Sequence, residues 1–381
     1  MSDLEWTILI TACSAISGPD KSARIQPLLQ QPVRWKRLFD LADRHGTQPL
    51  LYHALLPLAN SVPAEAMQTL MQAYQTNLHK VMRLSSELIH LHEHLSALGF
   101  EAMPYKGLAA AEALYGDIAL RQSGDIDLLI HPQDLPRIRQ AVGELGYRRH
   151  TRLSVAEERA YLNSGYECSF DGTAGPNLLE LQWAIQPRFY AMDFDMDGLF
   201  RRAIPVTVAG HCIKTPGAPD SLLLLSAHAA KHVWGRLVWL CDITQILQLP
   251  SLDWGWIASE AKKLGVVRIL RLTMLLASRL LGATVPPAAE RNLPKDSATA
   301  SLADEIQTHI ASGATFNVES LAYFRLMMRL RERPSDRRRF VARLILTPGP
   351  GEWNAVRLPE PLFPLYRLVR LSRLAARLVR A

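Results

Sequence analysis

Apolar residues in the first hundred positions fall at helical spacings. Leu28, Leu29, Val33, Trp35, Leu38, Phe39 and Leu41 trace one such face, and Leu84, Leu88, Ile89, Leu91, Leu95 and Leu98 trace another. Pro32, Pro49, Pro57 and Pro63 mark breaks, so Glu5–Leu98 reads as a series of helices. Near Gly99 the texture changes to short apolar runs bounded by turn residues. Phe100–Pro104, Ile126–Ile130, Tyr166–Phe170, Leu178–Ile185 and Val206–Ile213 read as strands, with helices at Gly107–Tyr115 and Pro136–Leu145, the latter ended by Gly146. From Pro219 the helical period returns, at Leu222–Trp234, Leu237–Leu247, Trp254–Leu264, Val267–Leu281, Ser301–His309, Leu321–Arg331 and Leu365–Arg380. Thr347-Pro348-Gly349-Pro350-Gly351 is a strong break before the last of these. The expected architecture is α+β and mostly helical. A small mixed-sheet core at 99–215 is flanked by a helical region at 1–98 and another at 216–381.

Composition narrows the classes. Apolar residues are 48% of the 381 and charged residues 21%, which excludes a disordered or collagen-like chain. No uninterrupted apolar run is long enough to span a bilayer, and the acidic N-terminus lacks a signal-peptide pattern, so a cytoplasmic location without a transmembrane segment is expected. Cys13, Cys168, Cys212 and Cys241 are scattered, suggesting neither a disulfide framework nor a zinc site. The net charge of +7 is concentrated at the C-terminus, where residues 321–381 hold 14 arginines against 4 acidic residues. Solvated helix faces account for such a tail, and so does an anionic partner for the basic C-terminal helices. In the last helix Leu and Arg interleave to give an apolar and a cationic face.

The sharpest local feature is Arg121-Gln122-Ser123-Gly124-Asp125-Ile126-Asp127-Leu128-Leu129-Ile130. On a strand, Asp125 and Asp127 project to one side and Ile126 and Leu128 to the other. Two adjacent carboxylates repel unless a cation lies between them, and Mg²⁺ needs few protein carboxylates when substrate phosphates complete its shell. The competing reading, one aspartate capping a turn and the other facing solvent, is equally compatible with the spacing. Tyr105-Lys106-Gly107-Leu108 sits at a strand-to-helix junction suited to a phosphate. Glu180, alone among leucines in Leu178-Leu179-Glu180-Leu181-Gln182-Trp183, needs a polar cavity or an exposed edge. Arg121 is equally suited to a triphosphate tail and to a salt bridge with a nearby aspartate. His228, Lys231 and His232 share a helix face, read as a polar seam, with metal binding a minor alternative. Asp242 calls for a partner such as Arg236 or His232. Trp234, Trp239, Trp254 and Trp256 read as core, and Asp193, Asp195 and Asp197 as an acidic loop.

Lys106-Gly107, Tyr115-Gly116-Asp117, Arg121 and the Gly124–Ile130 run resemble the signature of the bacterial uncharacterised nucleotidyltransferase family, within the polymerase-β-like superfamily. The resemblance extends upstream to Ala42-Asp43-Arg44-His45-Gly46 and Pro49-Leu50-Leu51-Tyr52. Downstream it takes in His228, Lys231-His232, Trp234, Arg236-Leu237, Asp242 and Leu365–Arg370. It implies an enzyme that moves a nucleoside monophosphate from an NTP, ATP being the expected one, to an acceptor hydroxyl. Asp125, Asp127 and Glu180 would be the catalytic carboxylates and the ligands of two Mg²⁺ ions. Lys106, Gly107, Arg121, Ser123 and Lys231 would contact the nucleotide. The acceptor class, whether small molecule, peptide or protein, or RNA, is left open. Two departures stand out: the superfamily's Gly-Ser pair appears as Lys106-Gly107 with no serine following, and Gln182 takes a position often held by His. With the basic tail they motivate a rival reading, a degenerate scaffold serving as a nucleic-acid or partner-binding module. Association of the 365–380 helix with a membrane surface is a third.

Overall fold

Alternation in Ile126-Asp127-Leu128-Leu129-Ile130 decides how the centre of the molecule is built. The computed structural model describes residues 3–379 except 152, 173–174, 251, 314–315 and 318–319. It contains a five-stranded sheet in the order β1-β2-β5-β4-β3, with β1 at Ala102–Pro104, β2 at Ile126–Ile130, β3 at Arg148–Arg149, β4 at Glu167–Gly172 and β5 at Gly175–Gln182. β2 and β5 run parallel, and the other pairings are antiparallel. Ile126, Leu128 and Ile130 point to one face with Leu179 and Leu181 of β5. There they pack on Leu84, Leu88 and Leu91 of the long Ala64–Ala97 helix and on Ile138 and Val142 of the Leu135–Glu144 helix. The opposite face carries Asp127 and Leu129, and Leu129 packs with Met103, Tyr105 and Leu224. The period of two thus puts the greasy half of β2 into one core and its acid on the other side.

Helices make up most of the remainder, so the fold is α+β and mostly helical. Ile8, Leu38, Leu51 and Leu55 from the first helices share one core with Leu222, Leu225, Trp234, Ile243 and Leu272 from the helices after the sheet. Trp234 is fully buried and donates from Nε1 to Thr273 Oγ1 at 3.0 Å. Among the described residues, no helix is long and apolar enough to cross a membrane.

The structure differs from the sequence expectation in several places, including helices at Pro334–Leu346 and, inside the expected break, at Pro350–Ala355. Val206–Ile213 is not one strand but parts of two, β6 at Ile204–Val208 and β7 at His211–Thr215, closed by Ala209 and Gly210 with φ of 47° and 84°. Two successive left-handed residues suit the twist of a two-residue hairpin. A helix at Val155–Ser164, not anticipated, is set by a capping box: Ser154 Oγ accepts from the Glu157 N–H while the Glu157 carboxylate accepts from the Ser154 N–H. The last helix, Tyr366–Val379, points part of its cationic face toward the protein. Arg370 and Arg373 turn inward to Glu352 at 3.1 and 2.8 Å, while Leu365, Leu368 and Leu371 are exposed. Other tail arginines are also paired, Arg343 with Asp193 at 2.6 Å and Arg333 with Asp336 at 2.6 Å.

Candidate active site

Parallel pairing places Asp127 opposite Glu180, so the two carboxylates project from the same side of the sheet. Asp125, one step before β2, joins them: one carboxylate oxygen from each of Asp125, Asp127 and Glu180 lies within 4.8 Å of the other two. Glu180 therefore faces a polar cavity and not a free edge. Three acids this close, in partly dry surroundings, resist ionisation. Burial and the neighbouring Asp127 charge push Asp125 up to about 6. Asp127, 3% exposed, also rises to about 6, through burial first and then through Glu180, against the pull of Lys106. Glu180 is raised by burial and by Glu167.

The cavity in front of these acids has a volume of about 290 Å³. Lys106 reaches into it, its Nζ 2.8 Å from Asp127 Oδ1 and 4.0 Å from Glu180 Oε2. Burial works against the Lys106 charge, and nearby groups including Asp127 and Asp125 outweigh it and hold the lysine protonated. Gly107 begins the Gly107–Tyr115 helix with φ of +62°, where a side chain would be strained. Ser123, 6% exposed, has a buried Oγ with no hydrogen-bond partner among the described residues, about 3.8 Å from where a Gly107 Cβ would stand. A hydroxyl thus lies beside Gly107 although no serine follows it in the chain.

Lys231, at the end of the Ala218–Lys231 helix, also lines the cavity, donates to Tyr166 Oη at 2.8 Å and lies over the Tyr166 ring. Burial lowers its pKa. His228 and His232 line the same wall with Trp239; burial and the nearby Lys106 charge lower His228, and partial desolvation with the Lys231 and Lys106 charges pushes the more exposed His232 down to about 3. Trp239 thus packs against the main core and also lines the cavity. The turn that follows holds Val233 and Trp234 at φ of 51° and 49°, strained backbone beside the site.

Arg121 is committed elsewhere. Its guanidinium grips the Asp242 carboxylate through Nε at 3.1 Å and Nη2 at 3.0 Å, both groups buried, and Tyr115 Oη donates to the same carboxylate at 2.9 Å. Of its two sequence readings the salt bridge is what the geometry supplies, and Asp242 has Arg121 and Tyr115 as partners instead of Arg236 or His232. Arg121 still borders the cavity, with its Nε–H and one Nη2–H held by Asp242.

Two residues gain importance from the fold. Gln182 is 1% exposed; its Nε2 donates to Asp127 at 3.1 Å and Glu180 at 2.9 Å, while its Oε1 accepts from Tyr105 Oη at 2.8 Å. A neutral amide at this position fixes two acids that a charged histidine would neutralise. Glu167 on β4, opposite Gln182, brings a fourth carboxylate to the cavity; burial raises its pKa, and Tyr166 Oη donates to it. Its strand was legible, yet the pairing of β4 with β5 that turns it inward was not.

All-oxygen donors converging at one point fit a hard divalent cation. Since Asp125 and Asp127 titrate above the ordinary carboxylate range, the stability they contribute is present below about pH 4 and is lost as pH rises through about 6. A bound cation reverses that loss only where the acids are ionised. Mg²⁺ is expected to raise the melting temperature by about 2–4 °C at pH 7.5 and not at pH 5. Differential scanning fluorimetry checks this, and equal shifts at both pH values would place the cation elsewhere.

The chain is similar to an antigenic nucleotidyltransferase-like protein from Paracoccidioides brasiliensis of known crystal structure, at 15% identity over 54% of this chain and 95% of that one, with a TM-score of 0.34. No curated protein matches it. The family model described as uncharacterised nucleotidyltransferase matches residues 31–282, which spans the sheet, the acids and the lysines above, and the chain belongs to that family.

Proposed function

We propose that the protein is a Mg²⁺-dependent nucleotidyltransferase that uses an NTP, ATP first among them. The observation that carries the reading is the meeting of Asp125, Asp127 and Glu180 from two strands and a preceding turn, beside a helix start at Gly107. These three acids would hold two divalent ions, which when bound neutralise charge on the attacking and leaving oxygens. The backbone at Gly107 lets a phosphate approach, and the unpartnered Ser123 Oγ is placed to donate to one. Lys106 brings positive charge to the phosphates from the Gly107 side, and Lys231, held at Tyr166 beside β4, brings it to the point where the α-phosphate and the acceptor would meet. Arg121 acts through Asp242, tying the loop before β2 to the Leu237–Leu247 helix and so fixing Ser123. Gln182 orients Asp127 and Glu180.

In the step itself the acceptor oxygen bonds to the α-phosphorus as the bond to the β-phosphate bridging oxygen breaks. Pyrophosphate leaves, and the acceptor proton passes to a carboxylate at Glu180 or Glu167, both raised above the ordinary carboxylate range by burial. The test is incubation of the purified chain with each α-³²P-labelled NTP, Mg²⁺ and cell extract. Transfer of label from one NTP, abolished by EDTA, is the expected result. No transfer from any NTP would favour the rival reading of a binding scaffold.

A further inference from the structure

We propose that the cavity on the far side of Tyr166 binds the acceptor, and that the acceptor is a small, largely apolar, ring-bearing alcohol. This rests on the transferase reading above and gives its open substrate a chemical class.

The sheet orders the reagents in space. Gly107 and Ser123 lie on the β1–β2 side of the acids, Glu180 is on β5, and Tyr166 and Glu167 open β4 beyond it. With the triphosphate on the β1–β2 side, the acceptor hydroxyl must arrive from the β4 side. A second cavity of about 300 Å³ lies there, and Tyr166 lines both cavities. Its hydroxyl lies between the Lys231 ammonium and the Glu167 carboxylate, so the shared wall carries a hydrogen-bonded group at the point where an acceptor oxygen would pass.

The lining of this second cavity differs from that of the first. Tyr161, Phe189 and Phe324 supply ring faces, Leu344 and Leu374 close the sides, and the main charged feature is Glu352 at the distal end with Arg370 and Arg373 on it. Aromatic walls of this kind take flat apolar bodies, and few polar groups remain to solvate a sugar or a nucleic-acid backbone. Two guanidinium groups against one carboxylate leave that end net positive. The volume accommodates a whole small molecule rather than a single side chain of a folded partner. Phe324, Leu344, Glu352, Arg370 and Leu374 all lie beyond residue 282, outside the family match, so this chamber is built largely from the chain's own C-terminal helices.

The experiment uses the full chain with α-³²P-ATP, Mg²⁺ and cell extract, and separates products into protein, RNA and reverse-phase-retained small molecules. Label is expected in the retained fraction. Leu374→Arg and Phe324→Ala, which obstruct and erode the chamber at half-buried positions, are expected to lower that transfer more than tenfold while Mg·ATP binding by calorimetry and the melting temperature stay at wild-type values. Label in protein or RNA, or transfer indifferent to both substitutions, overturns the acceptor assignment and leaves the transferase reading standing. Absence of label with any acceptor overturns the transferase reading, and this one with it.

Discussion

Asp127→Asn is expected to lower Mg²⁺-dependent nucleotidyl transfer by at least about a hundredfold while leaving the fold intact. Asparagine keeps the Oδ1 acceptor that Lys106 and Gln182 now share, so both contacts survive. What disappears is the negative charge, at a position beside Lys106, Glu180 and Asp125. Because the charged form of Asp127 is disfavoured by burial, removing it does not remove a stabilising anion, and the melting temperature should fall little. Label transfer and thermal unfolding on the same preparation check both halves. Transfer at wild-type rate would reject the carboxylate's role, and loss of folding would reclassify Asp127 as a structural partner of Lys106.

Much of this arrangement can be read from the sequence because strand periodicity is local. The alternation in Asp125-Ile126-Asp127-Leu128 fixes which side each residue takes, and the lone Glu180 among leucines announces a second polar position on a buried strand. Which strand pairs with which is not local. That Asp127 faces Glu180, and that Glu167 faces Gln182, follows from a parallel crossover and a hairpin whose registers no short window encodes. Gln182 shows the limit most clearly: as a motif it departs from the superfamily pattern, and in space it is the donor that holds two of the acids. The Ser123 hydroxyl near Gly107 is likewise a contact between loops 16 residues apart, invisible to a pattern that expects serine next to glycine.

The largest effect on stability is expected at Arg121. Arg121→Ala removes the guanidinium from a fully buried Asp242 and leaves that carboxylate with Tyr115 alone as a hydrogen-bond donor from a side chain. An uncompensated buried charge of this kind costs about 3–5 kcal/mol. Urea denaturation with an unchanged m-value would report it. Arg121→Ala combined with Asp242→Asn should recover a large part of the loss, since the stranded charge is then gone. A single variant as stable as wild type would show that the pair is not what joins the loop before β2 to the helical half, and would return Arg121 to the list of free phosphate-binding cations.

Binding of Mn²⁺ to the full-length chain, followed by electron paramagnetic resonance in the presence of a non-hydrolysable ATP analogue, bears most directly on the three acids. The account predicts saturable binding at pH 7.5 that is lost in Asp127→Asn and weakens as pH falls through about 6. Binding of equal strength in wild type and variant, unchanged across that pH range, would contradict it.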